Sequence, residues 1–274
     1  MNQGEGAYVV WGMRLRMILL MAVTALTAAC GGVEPDTSAA AAADGPAQPV
    51  ALWGAEGGFV TATMNVLRPP RVVLYDDGLV IVDASTQMTL SDAEAGEVVA
   101  RMEKYLGGQP PTAEPKPGAP SVTDVPDTVL GVRGKDGKML EVRVPALEQL
   151  ADFYPRRLVD AKKLMEGLAT RAAAEGTDYV AGRVRVIAEG AESAEGKPSP
   201  WPEGLPEPSG VVDPVWQKDV EGAAVSAITK AVPAEQKYGR SLFRTGSGTT
   251  YVLSWRYLLP HEQSPASPAP DRKG

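Results

Sequence analysis

The segment that decides the fold is residues 71–83, RVVLYDDGLVIVD. Two runs rich in Val, Leu and Ile flank Asp77-Gly78, and an Asp-Gly pair between such runs is the strongest short-range signal of a β-hairpin. Both runs are apolar at successive positions, so we expect both faces of this hairpin to be covered. Strands joined by so short a turn pair antiparallel, which favours an α+β fold over a doubly wound parallel sheet.

Further elements extend from this hairpin along the chain. A helix is predicted after Ser91, because Glu94 completes a capping box and apolar residues then recur with helical spacing. The other predicted elements are a strand at 58–66, a hairpin at 128–133 and 139–144, a helix at 155–174, a strand at 182–189, a helix at 218–230, and a hairpin that turns at 246–248 into 249–259. The sequence thus predicts α+β architecture, an antiparallel sheet built from hairpins with two or three packed helices and long Pro-rich loops.

The domain boundaries follow from composition. We expect one α+β body at 50–259, in which two Pro-rich stretches, 109–127 and 190–214, are long loops. The stretch 109–127 is also a candidate boundary between two smaller domains. The tail at 260–274 is polar and Pro-rich, and it is predicted to be disordered.

The N-terminal segment carries the features of an export signal. Arg14 and Arg16 precede an apolar run at 17–29 that ends in small residues, which is the order found in a secretory signal peptide. The run has 13 residues, whereas a membrane-spanning helix needs about 20. We therefore expect a signal peptide at 1–29, with translation starting at residue 1 or at Met13.

The only cysteine, Cys30, lies where such a signal would be cut. Residues 26–30, LTAAC, resemble the lipobox of bacterial lipoproteins, in which a Cys after small residues is diacylated and becomes the mature N-terminus; here the Leu lies four residues before the Cys instead of three. The resemblance implies a membrane anchor through a diacylglyceryl group on Cys30, since two acyl chains give stable anchoring. Residues 30–49 are then the lipidated cysteine and a flexible tether. Ordinary cleavage after Ala29, which leaves a free thiol, is the alternative.

Composition and charge exclude several classes of protein. The chain has 274 residues, a net charge of −7, one Cys and one His. An acidic chain without a basic stripe argues against a nucleic-acid partner, and so few Cys and His residues exclude intrachain disulfides and sites that need two imidazoles. The nucleophile elbow, Walker A, H-E-x-x-H and EF-hand motifs are absent from the sequence. No cofactor, metal site or catalytic residue is therefore predicted.

Four residues are candidates for contact with a ligand or partner. Arg183 and Arg185 alternate with apolar residues, and with Arg143 they form either a row for an anionic ligand or a solvated sheet face with cross-strand ion pairs. Trp201 and Trp216 lie in or beside a Pro-rich loop. A Trp in that position either caps the core or contacts a partner.

Other polar and aromatic features favour structural roles. Asp76 and Asp77 are either paired carboxylates for acid–base work or turn residues with local hydrogen bonds. We expect His261 to be solvated and residues 246–248 to form a turn. An aromatic stripe is predicted to pack against helices, with a sugar or lipid platform as the alternative; it consists of Tyr251, Leu253, Trp255, Tyr257 and Leu259.

About a quarter of the chain resembles uncharacterised surface lipoproteins of high-GC Gram-positive bacteria, namely the Cys30 region and the segments 70–82, 91–102 and 255–262. The resemblance implies an anchored extracytoplasmic protein and brings no catalytic residues. We expect a non-enzymatic binding or interaction protein of the cell envelope, with an envelope protein or a small ligand as partner. The alternatives are a lipid or glycolipid carrier with an apolar cavity, and a hydrolase that uses carboxylates such as Asp76 and Asp77.

Overall fold

A computed structural model describes residues 46–191, 196–209, 215–234 and 241–262. Within those ranges the chain has an α+β fold with two sheets and four helices. The strands of the first sheet are β1 (Pro49–Glu56), β2 (Val72–Tyr75), β3 (Leu79–Val82), β4 (Thr86–Thr89), β5 (Asp127–Arg133), β6 (Met139–Val144) and β7 (Thr177–Asp178). Those of the second are β8 (Arg183–Gly190), β9 (Ser199–Pro200), β10 (Trp216–Glu221), β11 (Leu242–Arg244) and β12 (Thr250–Tyr257). The helices are α1 (Ala62–Leu67), α2 (Asp92–Leu106), α3 (Arg156–Glu175) and α4 (Ala223–Ala231).

The two sheets have simple topologies. The first sheet is antiparallel throughout, in the order β6-β5-β1-β2-β3-β4-β7. The second has the order β10-β8-β12-β11-β9, and only β9 and β11 pair in parallel. The predicted α+β fold is confirmed, but the chain forms two sheets where one was expected.

The hairpin of β2 and β3 is confirmed with its turn at Asp77-Gly78. Val72 pairs with Val82, and the N–H of Gly78 donates to the carbonyl of Tyr75 at 3.1 Å. Gly78 has a φ of +80°, and a Cβ there would lie 2.6 Å from the carbonyl oxygen of Leu90. The turn therefore requires glycine both for its left-handed backbone and for its space.

Helix α2 begins where the sequence predicts. The Ser91 hydroxyl accepts from the backbone N–H of Glu94, and the Glu94 carboxylate accepts from the N–H of Ser91 at 2.9 Å. These hydrogen bonds, with one from Arg171, lower the pKa of Glu94 to about 2. The buried residues Val98, Met102 and Leu106 form the inner face of the helix.

Both faces of the first sheet are covered, as predicted for its central hairpin. One face packs against α2 and α3, so that buried residues such as Leu74 and Leu130 join Leu158 in the main core. The opposite face carries Val73 and Tyr75, which belong to a second cluster of buried apolar residues.

The second cluster joins the two sheets. Buried Val73, Tyr75 and Ile81 of the first sheet pack with Tyr179, Ala181 and Leu259, residues that flank the second sheet. A third core lies within the second sheet and α4. The body is therefore continuous through apolar contacts although no strand is shared.

The chain passes between the sheets at a different place from the predicted boundary. The stretch 109–127 lies against the first sheet. The N–H of Ala113 donates to the carbonyl of Arg143, and the N–H of Arg143 donates to the carbonyl of Pro111. Ala113 is buried in the main core. The crossing lies instead between β7 and β8, at residues 179–182.

Two predicted elements are wrong. Residues 58–66 contain the helix α1 instead of a strand, because the Thr61 hydroxyl accepts from the N–H of Met64 and caps the helix. The helix predicted at 218–230 is a strand, β10, followed by α4, and Gly222 between them has a φ of +60° that interrupts either element. Strands β1, β4, β7 and β9 were not predicted.

The ordered body extends beyond both predicted limits. Before residue 50, the N–H of Gln48 donates to Asp76 at 3.0 Å and β1 begins at Pro49. After residue 259, Pro260–Glu262 forms a 3-10 turn. The predicted signal peptide, Cys30 and residues 263–274 lie outside the described residues. Of the helices in the described ranges, none has the length and hydropathy to cross a bilayer.

Candidate functional site

The two candidate tryptophans lie on the second sheet. Trp201 is half-buried; its indole N–H donates to the carbonyl of Leu205 at 2.9 Å, and its ring meets Tyr251 edge-on with centroids 5.9 Å apart. Trp216 lies on β10 and packs on the same core. The structure therefore shows both side chains as core-capping groups, and a partner contact by either remains a prediction.

The three candidate arginines do not form one row. Arg143 belongs to the first sheet, where it pairs with Glu56 and Asp127. Arg183 and Arg185 belong to the second, opposite Glu221 and Asp219 on β10. The hypothesis of an anion-binding row that includes Arg143 is wrong, and the alternative of cross-strand ion pairs describes the structure.

The remaining predicted turn and sheet roles are confirmed. Asp76 and Asp77 are exposed in the β2–β3 turn, where the Asp77 carboxylate accepts from the N–H of Leu79 at 3.0 Å. Residues 246–248 form a turn closed by a 3.0 Å hydrogen bond from Gly248 to Thr245. The aromatic stripe packs inward, with buried side chains of Leu253, Trp255 and Leu259 and half-buried Tyr251 and Tyr257.

His261 is not solvated, contrary to the prediction. It is half-buried, and its Nδ1 lies 2.8 Å from the hydroxyl of the fully buried Tyr75. Burial lowers the pKa of His261, which keeps the imidazole neutral, and it raises the pKa of Tyr75. The pair thus serves as a neutral hydrogen bond between the first sheet and the C-terminal turn.

A buried ion pair lies next to this histidine. Both Nη atoms of Arg256, which is 2% exposed, donate to the Glu262 carboxylate at 2.6 Å, and the N–H of Leu259 donates to it at 2.9 Å. Burial alone would raise the pKa of Glu262, but the hydrogen bonds and charge of Arg256 outweigh it and lower that pKa. The network is suited to holding the C-terminal turn in place, because it joins Glu262 to β12 and to the backbone of Leu259.

A recess with the volume of a small-ligand site lies at one end of the first sheet. We call the end where β1 finishes at Glu56 the distal end, because it is opposite to Pro49, where the ordered chain enters β1. The recess, the distal groove, has a volume of about 880 Å³. Its lining residues are Trp53, Ala55, Met64, Arg68, Pro69, Arg71, Asp83, Ser85, Pro126, Thr128, Glu148, Gln149 and Glu166.

Trp53 forms the floor of the distal groove, and two cations lie over its ring. The Nζ atom of Lys162, on α3, lies 4.9 Å from the Trp53 ring, and the guanidinium carbon of Arg71 lies 5.8 Å from it. Lys162 also pairs with Glu148 at 3.3 Å and with Glu166. These contacts fix the orientation of the indole, because cations over an aromatic ring attract its quadrupole.

The walls of the groove come from separate parts of the chain. On one side, the Arg68 guanidinium donates to the carbonyl of Gly57 at 3.0 Å, which ties the end of α1 to the end of β1. On the other side, Arg71 pairs with Asp83 at 3.3 Å. The first wall is also braced from the second sheet, since the Thr63 hydroxyl donates to Glu189 at 2.6 Å.

Charged side chains of both signs line the groove. The lining includes two cations, Arg68 and Arg71, and three carboxylates, Asp83, Glu148 and Glu166; Lys162, beside Trp53, pairs with the last two of these carboxylates. Such a surface suits a ligand without a large net charge that carries both hydrogen-bond donors and acceptors beside apolar groups. No set of three or more His, Cys, Asp or Glu side chains in the described ranges is placed to hold a metal ion.

These features define an α+β protein of two sheets with a groove, lined by charged residues of both signs, at the distal end of the first. Comparison with protein-family models, curated proteins and solved structures finds no match.

Sequence reasoning missed the groove entirely. Its residues are scattered between Trp53 and Glu166, and none belongs to a motif. The signal that was available is the pair Trp53 and Ala55 at alternate positions of an apolar run, which places both on one face of a strand.

Proposed function

We propose that this protein is a lipid-anchored, non-enzymatic binding protein of the cell envelope, and that its distal groove holds the ligand or partner. The groove, with Trp53 at its floor, is the observation that supports binding. Its volume of about 880 Å³ lies within the range of roughly 300–1,000 Å³ for pockets that hold a small ligand. The membrane anchor rests on the resemblance of residues 26–30 to a lipobox.

The position of the groove is compatible with an anchor. Pro49 and Ala55 are six residues apart on β1, which separates the start of the ordered body from the groove by about 20 Å. A ligand in the groove would therefore lie toward the end of β1 that is away from Pro49.

The lipid-carrier and hydrolase hypotheses receive less support. A lipid carrier needs an enclosed apolar cavity, whereas five of the thirteen residues that line the distal groove are charged. A hydrolase based on Asp76 and Asp77 needs a cleft around them, whereas both carboxylates lie in an exposed hairpin turn. We therefore do not propose either function.

One experiment tests the anchor. The intact mass of the membrane-fraction protein from its native host is measured beside a Cys30→Ala variant. The expected result is a diacylglyceryl mass on a chain that starts at Cys30, with the variant lost from the membrane. An unmodified chain would contradict the anchor.

A second experiment tests the groove. A photo-reactive benzoylphenylalanine replaces Gln149, which lines the groove and is exposed, in the full chain in its native host. The matched control replaces Lys135, an exposed residue of the β5–β6 turn at the opposite end of the sheet. We expect a discrete adduct at position 149 that is absent at position 135. Equal labelling at both positions would contradict a binding role for the groove.

A further inference from the structure

One guanidinium in the distal groove has no carboxylate partner among the described residues. Arg68 is half-buried and lines the groove. Its hydrogen bonds come from a single atom, Nη1, which donates to the carbonyls of Gly57 at 3.0 Å and Ala55 at 3.4 Å. The second edge of the guanidinium, formed by Nε and Nη2, donates to no acceptor in the part of the chain that the structure describes. The side chain is therefore fixed in place while its second edge stays free.

The other charged residues of the lining are paired within the protein. Arg71 pairs with Asp83 at 3.3 Å, and the two glutamates of the lining pair with Lys162. Among the described residues, Arg68 is thus the one charged residue of the lining that faces no side chain of opposite charge. A bound ligand is the remaining source of a counter-charge apart from solvent ions.

The free edge of Arg68 is the edge with which another arginine of this chain holds a carboxylate. The Nε and Nη2 atoms of Arg185 donate to the two carboxylate oxygens of Asp219 at 2.8 and 3.0 Å. Pairing through two parallel hydrogen bonds is the strong and specific geometry between arginine and a carboxylate. Arg133 is the opposite case, since its Nε atom already donates to the carbonyl of Pro49 at 2.8 Å. The bonding pattern of Arg68 therefore suits a carboxylate from a ligand.

Apolar side chains flank Arg68 in the groove. Met64 precedes it by one turn of α1 and is 52% exposed, and the N–H of Arg68 donates to the Met64 carbonyl at 2.9 Å. Pro69 follows Arg68 directly, and both apolar residues line the groove. A ligand whose carboxylate pairs with Arg68 therefore places the atoms beside that carboxylate on an apolar surface.

The rest of the lining distinguishes between carboxylate ligands. Glu148 and Gln149 are exposed and Glu166 is half-buried, and all three line the groove with hydrogen-bond acceptors. Peptide N–H groups can donate to these acceptors, whereas a fatty acyl chain would cover them without a hydrogen bond, which is costly. A doubly charged phosphate is disfavoured as well, because the lining holds three carboxylates and two cations.

We infer that the distal groove binds the C-terminal residue of a peptide, with the terminal carboxylate on Nε and Nη2 of Arg68 and an apolar last side chain against Met64 and Pro69. The inference rests on the proposed function of the groove as a binding site and adds the class of ligand. A guanidinium that is held in position before the ligand arrives lowers the entropic cost of binding. The groove volume of about 880 Å³ is in the range of pockets that hold a whole small ligand.

Selection from a defined pool tests the class of ligand. The pool contains acetylated tripeptides of mixed sequence in two forms, one with a free C-terminal carboxylate and one with a C-terminal amide, together with dodecanoate. The full chain is solubilised in detergent, immobilised and equilibrated with the pool, and the retained molecules are identified by mass spectrometry. Comparison between variants cancels any partition of the probes into detergent.

Three variants accompany the wild-type chain. Arg68→Met keeps an unbranched side chain but removes the charge, and Arg68→Lys keeps the charge without the two-nitrogen edge. Arg133→Met is the matched control, because Arg133 is a half-buried arginine that also donates to two backbone carbonyls but lies at the opposite end of the first sheet. Thermal unfolding identifies the variants that fold; if Arg68→Met does not, Arg68→Lys supplies the comparison.

We expect the wild-type chain to retain the carboxylate peptides with an apolar last residue over their amides by about tenfold or more. Arg68→Met is expected to abolish this preference and Arg68→Lys to reduce it, since a lysine pairs with a carboxylate only as a point charge. Arg133→Met is expected to behave as the wild-type chain.

Several results would overturn the inference. Equal retention of carboxylate and amide peptides, or a preference that survives Arg68→Met, would show that Arg68 does not hold the carboxylate. Retention of dodecanoate alone, lost in Arg68→Met, would assign the free edge to a fatty acid. No retention by the wild-type chain, together with an adduct at position 149 in cells, would refute the class of ligand and leave the proposed function standing. Absence of both retention and adduct would refute both proposals.

Discussion

Removal of the Glu262 carboxylate is expected to destabilise the protein strongly, although Glu262 lies only three residues past the predicted end of the body. The substitution Glu262→Ala leaves the charge of Arg256, a residue that is 2% exposed, without its bidentate partner. Loss of one member of a buried pair costs about 3–5 kcal/mol. Because the Glu262 side chain is 20% exposed, we expect about 3 kcal/mol, the lower end of that range.

Urea unfolding followed by tryptophan fluorescence measures this loss, and thermal unfolding of the same samples should show a decrease in Tm of about 6–12 °C. The matched control is Glu221→Ala, which removes the partner of Arg183 from a pair whose carboxylate is 77% exposed. Exposed pairs contribute about 0–1 kcal/mol. The double substitution Arg256→Met with Glu262→Met removes both charges and is expected to recover most of the stability.

The reasoning fails if Glu262→Ala costs no more than Glu221→Ala. That result would mean that water reaches Arg256 when the carboxylate is removed, and that the C-terminal turn does not brace the second sheet. A double variant as unstable as Glu262→Ala would instead attribute the loss to side-chain packing.

Three further predictions follow from the hydrogen bonds and turns. His261→Gln keeps a polar partner near Tyr75, but the glutamine side chain does not titrate. Because burial lowers the pKa of His261 from 6.5, the wild-type protein should have its full stability above pH 6.5 and lose stability below it relative to the variant. Urea unfolding of both proteins across pH 5–8 measures the difference. Gly78→Ala should lower the free energy of unfolding more than Gly137→Ala. Both glycines have left-handed φ values, but only a Cβ at position 78 meets a backbone atom, at 2.6 Å. Equal losses of about 1–2 kcal/mol would show that the left-handed backbone alone sets the cost and would contradict the steric argument. Ser91→Ala should destabilise α2 by about 1 kcal/mol. It should also raise the pKa of Glu94 from about 2, and NMR titration of the carboxylate would detect this rise. An unchanged pKa would contradict the capping box.

The elements that were predicted correctly are those with a local signal. The β2–β3 turn requires Asp77-Gly78 at its tip, and α2 requires the pair Ser91 and Glu94 at its start, so a few adjacent residues determine each. Where the residues of one segment fit both a strand and a helix, the prediction was wrong. Residues 58–66 carry apolar side chains that fit a strand, but the Thr61 cap makes a helix there.

The candidate site and the buried ion pair depend on contacts that sequence spacing does not show. Lys162 reaches Trp53 because α3 crosses the sheet above β1. Glu262 reaches Arg256 because the chain turns back after β12, and a polar, Pro-rich composition predicts only that such a segment is exposed. The same limit applies to Arg183 and Arg185, whose alternation predicted a polar face but not which carboxylates would face it.

The central position of β1 has a mechanical consequence. Residues that precede Pro49 join the body through this strand, and the same strand carries Trp53 and Ala55 in the groove. It pairs with β2 over four residue pairs and with β5 over six. A pull along its axis loads these rows of hydrogen bonds together in shear, since ladder bonds lie perpendicular to antiparallel strands. A force applied between the residues that precede Pro49 and a molecule held in the groove would therefore be carried first by the hydrogen bonds of β1 to its two neighbours.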